Sequence, residues 1–365
     1  MNAMKYSRLI VFCGIIFFII EHFIPVFYSM KSIGTLIMLF ITLFFNLKYI
    51  KQFDNKFIYK VACITVGVLY LNFVLMQGNT GYGSIILLLS MLSVYVSLDI
   101  INIKYTDIVH VSYLFFICLI LYYFIPKNEY NPNTISFIFA SFYIFSTLIV
   151  PNNIKSYIFL LFIFIFVFFA TSQAGSRTVM VALFCYLLFR IIPAKFYQNK
   201  YCLTALMLVL TVGSIVYVHL YIYLYMNDLV LDVFAQFSDK KFFSGREVIW
   251  LEVTNLLSEH PITGIGSNIN LSSYDNLNLH NSILNLCAIY GYIIGALVIY
   301  VYIKIVVNLS EYTSSYIIKN SIAGYFFFFI VGLSETCLFF EAFGCSIPLI
   351  IAYSYRNNLI LTANK

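Results

Sequence analysis

Charge is what this chain has least of. Asp, Glu, Lys and Arg make up 10% of its 365 residues, where a soluble domain carries roughly 25%. A water-facing globular fold is therefore excluded. The eight Cys lie in or beside apolar runs with no paired spacing, which argues against a disulfide framework or a zinc site. They read as small packing residues. No D-x-D occurs, and the five His (22, 110, 219, 260, 280) form no H-x-x-x-H pair, so no metal is indicated. Basic residues are scattered rather than blocked, which gives no nucleic-acid signature. There is no internal repeat and no soluble domain, and Trp occurs once, at position 250.

What remains is apolar: 62% hydrophobic residues, with 38 Phe and 31 Tyr, at a mean hydropathy of +0.92. This composition predicts an all-α polytopic membrane protein, a single integral domain over 1–365. Apolar runs fall at 9–29, 33–47, 58–76, 84–98, 108–126, 135–150, 157–172, 179–193, 203–226, 282–303, 320–335 and 341–355. They are apolar all round, unlike the alternating strands of a barrel, so about twelve transmembrane helices are expected. The last two runs could also form one broken helix. The first run follows "MNAMKYSR" without a small-residue cleavage site and reads as a retained span.

Lys and Arg placement sets the orientation. Lys31, Lys127, Arg177, Lys240, Lys241 and Arg246 fall on one side and the other 15 on the side of the N-terminus. Both termini are then expected in the cytoplasm. The connection 227–281 stands out as a long outer-face loop, and loops of such length with internal structure are usually functional.

Within that loop, "SGRE" pairs Ser244 with Glu247 as a capping box. Val248, Ile249, Val253, Leu256 and Leu257 follow at helical spacing, and Pro261 ends the segment. The expectation is an amphipathic helix of about four turns lying along the bilayer surface. Gly264 and Gly266 in "PITGIGSN" permit a tight turn with close backbone approach. Arg246 sits in the first turn, where the macrodipole disfavours a cation. An anion bound there would be held by guanidinium, free N–H groups and dipole together; the alternative is a solvated Arg. Glu247 is read as the cap partner.

Two further residues share that face. Arg177, in "TSQAGSRTVM", is the only charge between Lys155 and Arg190. It either serves function or snorkels to lipid phosphate. His280 precedes a long span in "NLHNSILNLCAIYGYIIG"; it could accept a hydroxyl proton, or His280 or Asn281 could simply cap the helix. Glu335 and Glu341 flank the turn of the last hairpin and could bind sugar hydroxyls or orient an Arg. Glu21 and His22, in the first span, read as interior packing.

"GSRT" before an apolar span, then "SGREVIW…HPITGIGSN…HNSILNLCAIYGYIIG", resembles the O-antigen ligase and polymerase superfamily of bacterial polysaccharide assembly. The likeness is sharp over about 171–300. It implies a metal-independent, inverting glycosyltransferase without cofactor, acting on an undecaprenyl-pyrophosphate-linked oligosaccharide at the outer face of the inner membrane. By this resemblance Arg177 and Arg246 engage the donor pyrophosphate and His280 is the general base, with Asn281, Gly264, Gly266, Glu335 and Glu341 as lesser candidates for substrate contact.

A repeat-unit polymerase, with a chain-length regulator as a possible partner, fits the compact length and lean loops. A ligase transferring the finished chain to lipid A-core needs the same residues. A flippase of lipid-linked sugars would instead place its charges near the bilayer midplane, often in repeated halves.

Overall fold

The computed structural model describes residues 132–149, 154–227, 245–266, 271, 279–338 and 343–363, with Ile37, Leu39, Leu43, Leu89, Met91, Ser93 and Val94 as isolated helical positions. Apart from those positions, the first five expected spans lie outside the described residues. The remaining seven runs each coincide with a helix. In chain order these are α1 (Pro132–Ile149), α2 (Ile154–Ala174), α3 (Arg177–Ile191), α4 (Ala194–Gln198), α5 (Lys200–Met226), α6 (Arg246–Glu259), α7 (Ser282–Val307), α8 (Tyr316–Val331) and α9 (Phe343–Ala363), with a 3-10 turn at Ser310–Tyr312. Among the described residues there is no strand beyond a bridge at Leu271.

Among the described residues, three helical stretches are long and apolar enough to cross a bilayer: Tyr157–Ala174, Lys200–Met226 and Ser282–Tyr312. At about 1.5 Å rise per residue, the 27 residues of α5 exceed a hydrocarbon core of about 30 Å. The outward surface agrees. On α2, Ile158, Leu161, Phe162, Ile165 and Phe169 are all more than half exposed, an apolar stripe suited to contact with lipid.

Helix α8 is the axis of the core. Phe326, Phe327, Phe328 and Phe329 are buried, and the ring edges of Phe327, Phe326 and Phe328 meet Tyr186, Phe189 and Phe137 respectively. Gly324 brings α8 against α1, since a Cβ there would lie 2.9 Å from Ile144. Helices α8 and α9 are separate elements: residues 332–338 form a turn after α8, and 339–342 lie outside the described residues. The five described Cys (185, 202, 287, 337, 345) are free thiols.

Helices α5, α6 and α7 make a second group, with α6 packed on both of the others. Two expectations for α6 need correction. Its N-cap is Gly245, at φ 87°, and the Gly245 N–H donates to Glu247 Oε1 at 3.0 Å. Glu247 thus caps the Gly245 N–H two residues before it in place of that of Ser244, which lies outside the described residues. The buried face is also rotated: Ile249, Trp250, Val253 and Leu257 are buried, whereas Val248 is 39% exposed. Trp250 causes the rotation. It inserts edge-on against Tyr217 and Tyr221 of α5, with ring centroids 5.6 and 5.2 Å away. The apolar face of α6 therefore turns into the protein.

Candidate active site

Two cations head two helices. Arg177 is the first residue of α3 and Arg246 the first residue of α6. In neither helix does the N-cap side chain bond a backbone N–H. Each helix start therefore combines a cation in its first turn with the positive end of the helix dipole, a combination suited to a phosphate. Tyr217 of α5 lies within electrostatic reach of both Arg246 and Arg177, so both arginines lie in the neighbourhood of one residue.

Arg246 does not stand alone. Its Nη2 donates to Glu335 Oε1 at 3.0 Å, and His280 Nδ1 lies 3.1 Å from Glu335 Oε2. Asn133 at the start of α1 donates its amide to Oε1 at 2.9 Å. The three side chains of the Arg–Glu–His chain are each only 17–21% exposed. A carboxylate only accepts hydrogen bonds, so the Nδ1 contact is a donation from His280, and in the neutral ring that donation leaves the lone pair on Nε2. That tautomer is the one a general base needs.

The backbone holds His280 in an unusual state. At φ 48° it is the only non-glycine residue among those described with positive φ, a conformation costing about 1–3 kcal/mol where the surroundings enforce it. The enforcement is visible on both sides. Leu279 is fixed by Trp250, whose indole N–H donates to the Leu279 carbonyl at 2.6 Å. Asn281 caps α7 by accepting from the Leu284 N–H at 2.8 Å, exchanges hydrogen bonds with Ser214 of α5, and donates to the Leu333 carbonyl at 2.9 Å. These bonds occupy its carboxamide. Asn281 serves as a cap and tether, with no donor or acceptor left over for a sugar.

Glu335 is delivered from the other side by the turn after α8. Ser282 Oγ donates to the Glu335 carbonyl at 2.8 Å and accepts from the N–H groups of Cys337 and Leu338. The Ser282 N–H donates to the Gly332 carbonyl. The first residues of α7 are thus bolted to the turn that carries the carboxylate.

Residues 157–300, less than half of the chain, match the family model described as O-antigen ligase. This region belongs to that family. The O-antigen ligase domain contains Arg177, Arg246, Trp250 and His280, whereas Asn133 and Glu335 lie beyond its matched range. No curated protein and no solved structure matches the chain.

Inside the domain, the glycine turn has a structural partner. Helix α7 breaks at Gly291, at φ 78° and ψ 170°. The turn of residues 261–265 fills the break: Ile265 N–H donates to the Ala288 carbonyl at 2.6 Å, and Tyr292 N–H to the Pro261 carbonyl at 2.8 Å. A Cβ on Gly264 would sit 2.5 Å from the Gly291 nitrogen, and one on Gly291 would sit 2.1 Å from the Ile262 oxygen. Backbone touches backbone, which only glycine allows. Gly264 therefore works as a packing glycine between loop and helix. Gly266 also takes a positive φ, of 86°. Glu341 lies outside the described residues.

Sequence reasoning missed Asn133, Trp250, Ser282 and Gly291. Trp250 as the sole Trp, and Gly291 as a lone Gly inside an apolar span, were signals that could have been followed. Asn133 and Ser282 carry no local signal at all. Among the described residues, no group of three His, Cys, Asp or Glu side chains could hold a metal ion.

Proposed function

We propose that the chain is a glycosyltransferase that polymerises undecaprenyl-pyrophosphate-linked oligosaccharide repeat units into O-antigen or capsular polysaccharide. The reaction takes place at the outer face of the bacterial inner membrane, with both termini in the cytoplasm. The observation that carries this reading is the single carboxylate of Glu335 held by Arg246 on one oxygen and His280 on the other. The O-antigen ligase domain supports it.

In the proposed reaction His280 Nε2 takes the proton of the acceptor hydroxyl, and the acceptor oxygen bonds to the anomeric carbon. The bond from that carbon to the pyrophosphate oxygen breaks on the opposite side, inverting the centre. The leaving lipid pyrophosphate gathers charge, which Arg177 and Arg246 neutralise. A placed base supplies about 10²–10⁴ in rate, and each preorganised electrostatic contact about 10²–10³. No step needs a metal.

Polymerisation and ligation differ only in the acceptor. Purified full-length protein, given lipid-linked repeat units alone, is expected to produce a ladder of longer lipid-linked chains, and to do so in EDTA. Product formed only when lipid A-core is added would make the enzyme a ligase. Activity lost in EDTA and restored by Mg²⁺ would overturn the metal-free mechanism. A His280→Ala strain that still elongates chains but fails to export them would point to a transporter.

A further inference from the structure

A second group of cations sits at the opposite end of α3 and α8 from the Glu335 cluster. Arg190 lies in the last turn of α3 and Lys319 in the first turn of α8. Arg190 Nη2 donates to the Tyr316 hydroxyl at 2.7 Å, and its guanidinium lies 5.8 Å from the centroid of the Tyr186 ring. Tyr143 and Tyr157 stand within interaction range of the same guanidinium. Lys319 Nζ donates to the carbonyls of Arg190 and Ile192, at 2.8 and 3.2 Å.

Among the described residues the charges around Arg190 and Lys319 do not balance. Among the described residues no carboxylate pairs with Arg190 or Lys319; the cytoplasm-facing acid Glu311 is taken by Lys200 at 2.6 Å. The C-terminus of α3 supplies the equivalent of about −0.5 charge, which offsets at most half of one cation. Tyrosine hydroxyls are neutral. More than one positive charge is left in a half-buried setting, where an uncompensated charge is costly. Donors are also in excess, since a guanidinium carries five N–H groups and an ammonium three.

A separate observation concerns Asn320. It is 1% exposed, and neither its amide nitrogen nor its oxygen has a partner. It follows Lys319 and lies one helical turn from Tyr316, hence on the same side of α8.

The route in is lipid-facing. Tyr157 is 46% exposed, and next to it along α2 runs the bare apolar stripe of Ile158, Leu161, Phe162 and Ile165. An acyl chain laid on that stripe would bring its headgroup to Tyr157. The Lys and Arg tally puts this end in the inner leaflet, where anionic lipids attract basic groups.

We propose that the inner ends of α3 and α8 bind an anionic phospholipid, its phosphate gripped by Arg190 and Lys319 and met by the hydroxyls of Tyr316 and Tyr157. This site is separate from the transferase site and does not depend on that reading.

The test uses purified full-length protein stripped of lipid in a neutral detergent. It is titrated with phosphatidylglycerol, phosphatidylcholine or inorganic phosphate, reading bound lipid by native mass spectrometry and the thermal midpoint. Phosphatidylglycerol is expected to be retained and to raise the midpoint, and the other two to do neither. Arg190→Gln combined with Lys319→Gln is expected to weaken phosphatidylglycerol binding by at least about tenfold, the loss of one charge-assisted contact or more.

Should that pair fail to fold, Tyr157→Phe at the exposed edge reads the same site through a single hydroxyl, with about threefold weaker binding expected. Equal retention of the two lipids, or wild-type binding by the variants, overturns the proposal. Inorganic phosphate matching phosphatidylglycerol would make this a free-anion site and overturn it as well.

Discussion

Arg246→Ala is expected to abolish chain elongation, at least about 10³-fold, while protein levels stay normal. Two effects add in the same direction. The donor pyrophosphate loses a guanidinium at the helix start where the α6 dipole also points. Glu335 loses the cation on its Oε1, leaving Asn133 to hold that oxygen. Arg246→Lys should restore only part of the activity, because an ammonium cannot bridge carboxylate and phosphate as a planar fork can.

The fold has its own internal reporter. Trp250 is the only Trp and is fully buried four residues from the mutation, so unchanged tryptophan emission separates a dead site from a lost fold. Wild-type polymer ladders from Arg246→Ala would remove this residue from the site. The same assay on Arg177→Ala tests the other helix start.

The second expected result is on Glu335→Gln. A carboxamide is the same size but has one acceptor end and one donor end. The carboxylate receives donors at both ends: Arg246 and Asn133 on Oε1, His280 on Oε2. Whichever way the glutamine turns, an N–H faces an N–H. Either the arginine contact breaks or the imidazole loses its tautomer, and a drop in kcat of about 10²–10⁴ follows. The KM for the acceptor should stay close to wild type. If Glu335 binds sugar hydroxyls instead, the pattern reverses, with KM raised and kcat kept.

Much of the helical layout was legible because lipid imposes it. From 132 onward every apolar run contains a helix; α8 starts four residues before its run and stops at Val331, and α9 ends eight residues past its own. Arg246 and His280 were legible because each breaks a local rule: a cation at a helix start, and a titratable side chain at the mouth of an apolar span. Glu335 was visible only as one of two acids on a turn. Its role as a bridge depends on Ser282 and Asn281 clamping the 332–338 turn onto α7, contacts across more than fifty residues that no local pattern encodes. The expected apolar face of α6 holds at Ile249, Val253 and Leu257 and differs at its start, where Trp250 is buried and Val248 is not. Burial follows size. Gly291 carries no reading of its own inside a long apolar span, and nothing nearby points to its partner 27 positions earlier.

That partnership bears on how relatives of this domain can diverge. Gly264 and Gly291 form a matched pair, each leaving room for the other's main chain, so neither is free to drift alone. A substitution that placed any residue with a Cβ at either position would drive a methyl group into the facing peptide. The two positions should then be inherited together.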